Sequence, residues 1–147
     1  MNCSRRELGL LLPSLAAIAM SPTGRSQTTS REMLATRMYH HARIPYTGDA
    51  TKKARQFFTG TTHGGFNLEV HETILGAGVQ THAPHKHVHE EIIIVVEGTV
   101  ETYVEGTTET VEAGSVIYFG SNQMHSARNV GQTPSRYYVI ELRGDEA

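Results

Sequence analysis

Histidines in this sequence are spaced as metal ligands are spaced on an extended chain. Nine of the 147 residues are histidine, and five of these lie between His82 and His125. His85 and His87 are separated by one residue, so both side chains point to the same side of an extended segment. Glu91 has the same parity, and His125 is the only histidine that follows His89. Three imidazoles and one carboxylate would form a donor set that suits Mn, Fe, Ni, Cu or Zn and leaves positions open for substrate.

Other polar residues beside these four are expected to have different roles. His89 shares the parity of His87, but we expect the turn between the two ligand strands to lift it to solvent. His82 is expected at the rim of the site, in solvent or in contact with substrate. Glu90 and Lys86 have the opposite parity and should face away from it.

Candidate acid–base residues come from neighbouring strands. His71 and Glu69 alternate with apolar residues, so His71 is a candidate general base if this polar side lines the cavity. If that side faces solvent instead, His71 has no such role. Tyr118 is a second candidate catalytic residue, and both Tyr118 and Tyr103 are candidate cavity walls. Asn129 is expected to fix the backbone or the second nitrogen of a ligand histidine.

The elements that must position these side chains are predicted to be short antiparallel strands. From Gln56 onward, glycines divide the chain into runs rich in Val, Ile, Thr, Tyr and Phe, and no helical period is sustained. This pattern is typical of an all-β antiparallel sandwich or barrel. One run, Ile92–Val96, is apolar on both faces. Its outer face therefore needs the N-terminal segment or a second subunit over it, and we expect a homodimer.

Two motifs in this region resemble those of the cupin superfamily. The first, G-x5-H-x-H-x(3,4)-E-x6-G, is matched at four positions: His85, His87, Glu91 and Gly98. Gly78 lies one residue too far upstream for its leading glycine. The second, G-x5-P-x-G-x2-H-x3-N, is matched at three: Gly114, His125 and Asn129. Gly120 and Asn122 stand where this second motif has Pro and Gly. The resemblance covers residues 66–142.

The resemblance implies a small jelly-roll barrel with one metal ion held by the four matched ligand residues. Because cupins include dioxygenases, decarboxylases, isomerases, lyases and non-catalytic binders, it implies no single reaction. We expect a mononuclear metalloenzyme acting on a small oxygenated organic molecule. The alternatives are a metal-stabilised protein that binds a carbohydrate or carboxylate without turnover, and a metal-free relic.

The first residues have the layout of an export signal. Arg5 and Arg6 precede a 13-residue apolar run, Leu8–Met20, that is too short to span a membrane as a helix. Near the end of the run lies Ala17-Ile18-Ala19, so we expect cleavage after residue 19. The paired arginines resemble a twin-arginine signal. This divides the chain into a signal at 1–19, a linker and N-terminal arm at 20–55 and a barrel at 56–147. Residues 31–41 are predicted to form a short helix, or 38–44 an added strand.

Composition limits the partners and the metal. The chain has 13 basic and 15 acidic residues, which argues against a nucleic-acid surface, and no membrane span is expected in the mature form. Its single cysteine, Cys3, excludes an internal disulfide and a thiolate-rich zinc site. A protein that folds before export is able to acquire Mn or Fe in the cytoplasm. These two metals are therefore favoured, with Zn, Ni and Cu as alternatives.

Overall fold

Nine β-strands and one short 3-10 helix form the regular structure of residues 32–144, the part of the chain that the computed structural model describes. The helix is η1 (His41–Arg43), and the strands are β1 (Thr47–Gly48), β2 (Lys52–Thr61), β3 (Asn67–Leu75), β4 (Glu90–Glu97), β5 (Thr99–Val104), β6 (Thr107–Glu112), β7 (Val116–Phe119), β8 (His125–Asn129) and β9 (Ser135–Arg143). The all-β fold class predicted from the sequence is confirmed. The predicted signal at 1–19 lies outside the described residues.

The strands form two antiparallel sheets. One has six strands in the order β1-β2-β3-β9-β4-β7, and the other has three in the order β6-β5-β8. Strand β9 lies between β3 and β4, with Val139 opposite both His71 and Ile93. This crossover brings together side chains of β3 and β4 that are about twenty residues apart in sequence, and it gives the jelly-roll arrangement expected.

The core lies between the inner faces of the two sheets. Alternate residues of β9 point inward, as the period of a strand requires: Ser135, Tyr137, Val139 and Glu141 are buried. The buried apolar residues come from both sheets: Leu75, Ile93, Val95, Val100, Phe119, Ala127, Tyr137 and Val139. At one end of this core the inward side chains become polar, and there the candidate site lies.

The segment before β2 packs on the outer face of the larger sheet. It contains η1 and β1, together with an isolated bridge between Met33 and Thr61. Within the described residues 32–44 there is neither the longer helix expected up to residue 41 nor the strand expected at 38–44. Tyr46 donates a hydrogen bond to Glu72 at 2.8 Å, and Arg55 donates one to the carbonyl of His41 at 2.7 Å. Strand β2 itself begins at Lys52, within the range that the sequence analysis gave to the linker and arm.

The outer face of β4 and β7 is not covered in this way. Ile94 is 37 % exposed, and its partner on β7, Val116, is 65 % exposed. Strand β7 is also an edge of the six-stranded sheet. The described part of the N-terminal segment, from residue 32 onward, contacts β2 and β3 at the other side of that sheet. These described residues do not provide the cover that the apolar run was expected to need. Residues 32–144 contain no helix long and apolar enough to span a membrane.

Candidate metal centre

Three histidine rings converge inside the barrel. His85, His87 and His125 each present a ring nitrogen, and these three nitrogens lie within 4.8 Å of one another. The ring centroids are 5.1 Å apart for His85 and His87, and each is 4.8 Å from that of His125. The predicted site needs His125 to reach His85 and His87, and the fold brings it there.

Backbone pairing holds two of these residues together. The segment before β4 runs along β8, so the N–H of His85 donates to the carbonyl of His125 at 3.0 Å, and the N–H of His125 donates back at 2.8 Å. The carbonyl of His87 accepts a 2.7 Å hydrogen bond from the N–H of Asn122. Asn122 has φ 59°, a left-handed conformation that asparagine tolerates, so the turn before β8 is made without the glycine of the family motif.

Hydrogen bonds orient two of the rings toward the centre. The Nδ1–H of His87 donates to the carbonyl of His89, and that of His125 donates to the carbonyl of Gln123, both at 2.8 Å. Each bond requires the tautomer that leaves Nε2 as a lone-pair donor to a metal. The Nε2 atoms of His87 and His125 and the Nδ1 atom of His85 are buried and lack hydrogen-bond partners. Since buried polar atoms are normally paired, these nitrogens fit a site that holds a metal ion.

The carboxylate of Glu91 completes the set. Its Oε1 lies 3.2 Å from Nε2 of His87, and its Oε2 lies 3.7 Å from Nε2 of His125. Two ligand atoms, each about 2.1 Å from a tetrahedral ion, are separated by about 3.4 Å. The observed separations are close to this value, so His87, Glu91 and His125 are arranged with the spacing of ligands. The ring nitrogen of His85 lies within 4.8 Å of those of the other two histidines.

Burial favours the neutral form of the His125 imidazole. Burial lowers the pKa of His125 below its ordinary value, against a smaller opposing effect of its hydrogen bond to the Gln123 carbonyl and of Glu91. Burial also lowers the pKa values of His82 and His89. The neutral imidazole is the form that binds a metal, so the cavity favours ligation at neutral pH.

A cavity of about 470 Å³ opens beside these residues. His71 lines it, so the polar side of β3 faces inward, which was the condition for a catalytic role. The Nδ1 of His71 lies 3.4 Å from Oε1 of Glu69. His82 also lines the cavity, with its ring centroid 4.0 Å from that of His85.

Tyr118 does not line the cavity, contrary to the expectation from sequence. It lies on the outer face of β7, opposite Ile92, and its side chain is 58 % exposed. Its neighbour Phe119 is the residue that points inward, and its ring stacks on His125 at 4.3 Å. Tyr103 is not among the lining residues either, because the inward positions of β5 are those of Val100 and Thr102.

His89 is not lifted to solvent as expected. Its side chain is only 14 % exposed, and its ring stacks on His87 with centroids 3.4 Å apart and planes 4° from parallel. The Nε2 of His89 lies 3.6 Å from Oε1 of Glu91 and 3.6 Å from Oε2 of Glu141. The residues before Glu90 do form bends, but these bends keep the ring of His89 against that of His87 instead of turning it to solvent.

Tyr137 and Glu141 on β9 line the cavity, although neither was predicted from the sequence as a site residue. The hydroxyl of Tyr137 is buried without a hydrogen-bond partner, and burial, with a smaller contribution from Glu91, raises its pKa. It therefore stays protonated and can donate a hydrogen bond. The alternation of polar and apolar residues in β9 was the available signal, but it did not show which side faces inward.

Asn129 fixes the backbone, one of the two roles expected for it. Its Nδ2 donates to the carbonyls of Leu75, Gly76 and Thr133 at 2.8–3.0 Å. Its Oδ1 accepts from the N–H of Gly131 at 2.9 Å. These bonds tie the end of β3 to the end of β8, the strand that carries His125.

This chain matches one protein family in sequence and several known structures in fold. The family model described as "Cupin domain" matches residues 71–141. An RmlC-like cupin from Shewanella frigidimarina is 18 % identical with a TM-score of 0.62, covering 76 % of this chain and 95 % of its own. KdgF from Halomonas sp. is 17 % identical with a TM-score of 0.63, covering 76 % and 98 %.

A third similar structure is described as "a predicted oxalate decarboxylase" from Thermotoga maritima. It is 17 % identical with a TM-score of 0.59, covering 72 % of this chain and 98 % of its own. No curated protein matches the sequence. At these identities the structures show that the fold is shared. They do not show that the activity is shared. The family match over residues 71–141 and the shared fold show that this barrel is similar to those of cupins.

Proposed function

We propose that this protein is a metal-dependent enzyme acting on a small oxygenated organic molecule. The observation that carries the proposal is the group of three buried imidazole nitrogens without hydrogen-bond partners, beside a cavity of about 470 Å³. Two of them, on His87 and His125, lie close to the carboxylate of Glu91. His85, His87, Glu91 and His125 would hold the ion. A bound divalent ion would supply Lewis-acid polarisation of a substrate oxygen or, if it is iron, the means to use O₂.

The chain's own residues supply the remaining functions of such a site. His71, beside Glu69, is suited to hold or accept a proton as a general base. Tyr137 keeps its proton and is suited to donate a hydrogen bond to a substrate oxygen. Apolar side chains such as Ile93, Phe119 and Val139 line the rest of the cavity and would exclude water.

The favoured metals are Mn and Fe, with Zn, Ni and Cu as alternatives. The donor set contains nitrogen and oxygen but no sulfur, which suits all five. We propose that the protein is exported in the folded state, with the ion acquired in the cytoplasm. Elemental analysis of protein purified from its native compartment tests both points. Zinc as the resident ion would contradict the loading proposal.

Turnover of a panel of small oxygenated compounds, measured under air and under argon, tests the activity. Glu91→Gln should abolish turnover, because it removes the only negative charge among the four proposed ligands. Glu90→Gln is the matched control, since Glu90 lies on the opposite face of β4, and it should retain activity. Ligand binding by the metal-loaded protein without turnover of any compound would favour the alternative, a non-catalytic binding protein.

We also propose that the mature protein is a homodimer. The exposed apolar side chains of the outer face, Ile94, Val116 and Tyr118, lie at the free edge of the larger sheet, where a second copy would cover them. Light scattering should give twice the chain mass, and Val116→Glu should give a monomer. Thr108→Glu, at an exposed position on β6, should remain a dimer. A monomeric wild type would refute this proposal.

A further inference from the structure

One lysine lies at the mouth of the cavity. Lys52 begins β2, is exposed, and is the only lysine or arginine among the described residues that line the cavity. Ala54 also lines the cavity, so Lys52 projects from the inner face of the strand. The turn before β2 fixes its backbone, because Oδ1 of Asp49 accepts hydrogen bonds from the N–H groups of Thr51 and Lys52 at 2.7 and 2.9 Å.

The ammonium group of Lys52 reaches across to the segment that carries the first proposed metal ligand. Its Nζ donates a hydrogen bond to the carbonyl of Thr81. Thr81 is itself held by β8, because its N–H and its hydroxyl both donate to the carbonyl of Ala127, at 3.0 and 3.1 Å. The ring centroid of the next residue, His82, lies 4.0 Å from that of His85. The positive charge of Lys52 is therefore held on the same side of the cavity as His85.

This positive charge has no carboxylate partner in the described structure. No carboxylate of residues 32–144 forms an ion pair with Lys52. Of the two carboxylates that line the cavity, Glu91 belongs to the proposed metal site, and Glu141 accepts a 2.8 Å hydrogen bond from Arg143. An ammonium group has three donor hydrogens, and the Thr81 carbonyl takes one, so two are left for a ligand. With a divalent ion at the histidines, the net positive charge of the cavity would favour an anion.

We propose that Lys52 is a specificity-determining residue that selects a small organic acid, binding its carboxylate at the mouth while a hydroxyl or carbonyl oxygen of the same molecule reaches the metal ion. The inference rests on the proposed function and narrows its substrate from oxygenated molecules in general to acids. The cavity of about 470 Å³ has room for several carbon atoms between the two oxygen-bearing groups. An acid bound by the ion alone would not need Lys52, and this difference can be measured.

Binding of matched acids and amides to the metal-loaded protein tests the proposal. The probes are glycolate, 4-hydroxybutyrate and gluconate, each compared with its primary amide, and calorimetry on the full chain loaded with Co²⁺ gives the dissociation constants. At least one acid should bind the wild type about tenfold more tightly than its amide, the factor expected for one charge-assisted hydrogen bond. Lys52→Gln should lose this preference, and Lys52→Arg, which keeps the charge, should retain most of it.

Lys53→Gln is the matched control, because it removes the same charge from the opposite face of β2. The Nζ of Lys53 lies 5.0 Å from the centroid of the Tyr46 ring, on the outer side of the sheet, so this variant should keep the wild-type preference for acids. All three variants should bind Co²⁺ with the wild-type affinity and visible spectrum, since Lys52 is not among the proposed ligands. A lost preference is then not the loss of the ion.

The outcomes separate this inference from the proposed function. An undiminished preference for acids in Lys52→Gln would show that the ion alone binds the carboxylate, and it would refute the role of Lys52. Wild-type protein that binds no acid more tightly than its amide would refute the inference as well. In both cases the metal site would stand. A wild type that binds no Co²⁺ would instead refute the proposed function.

Discussion

Metal binding should stabilise the barrel by an amount that follows from its unpartnered atoms. Three buried imidazole nitrogens lack partners in the metal-free protein, and each costs at least about 1 kcal/mol. A bound ion relieves this cost of about 3 kcal/mol. By linkage, a free-ion concentration of one hundred times the dissociation constant raises the free energy of unfolding by about 2.7 kcal/mol, which is a similar amount. We therefore expect a chelator to lower the melting temperature at pH 7.5 by about 10 °C.

The chelator effect should nearly vanish at pH 5. Ligation requires neutral imidazoles, and an imidazole of ordinary pKa near 6.5 costs about 2 kcal/mol to deprotonate at pH 5. Burial lowers the pKa of His125, so its own cost is smaller. The same lowered pKa means that, below about pH 6.5, the unfolded chain binds more protons at this residue than the native state. The metal-free protein therefore also loses stability as the pH falls through this range.

Differential scanning calorimetry with and without a chelator at both pH values is the assay. His87→Ala should show little chelator effect at pH 7.5, while His63→Ala, at an exposed histidine outside the cavity, should behave as the wild type. A chelator shift of equal size at pH 5 and pH 7.5, or an undiminished shift in His87→Ala, would refute the reasoning.

Three further predictions concern the barrel that holds the site, each measured by urea unfolding. Glu72→Ala should lower the free energy of unfolding by about 3–5 kcal/mol, because it leaves the buried Arg55 uncompensated. Glu97→Ala, at a carboxylate that is 61 % exposed, should lower it far less, and equal losses would contradict this account. Asn129→Ala should cost about 2–4 kcal/mol, since three backbone carbonyls lose their donor, and a loss below 1 kcal/mol would contradict this account. Gly98→Ala should lower the free energy of unfolding more than Gly106→Ala. Both glycines have positive φ, but of the two only Gly98 would place an added Cβ 2.8 Å from a backbone atom. Equal losses of unfolding free energy would show that this contact relaxes freely.

The sequence determined which residues form the candidate metal centre and the class of the fold. Alternation along runs of β-branched and aromatic residues indicated antiparallel strands, and it did so because side chains of a strand point to opposite faces with a period of two. The same period put His85, His87 and Glu91 on one side of the chain. The spacing in the second motif then identified His125 as their partner, and the structure brings it to them by pairing β8 with the segment around His85.

Only the tertiary structure decided which face of each strand lines the cavity. Parity groups residues into two sets but does not show which set is inside, because both faces of β7 and β9 carry aromatic residues. This is why Tyr118 was chosen where Tyr137 faces the cavity. His89 shares the parity of His87, but it lies in bends whose course the sequence does not show, so only the structure revealed that its ring stacks on His87 and does not turn to solvent. The inside of a barrel is set by the packing of one sheet on the other, and that packing depends on contacts between residues distant in the chain.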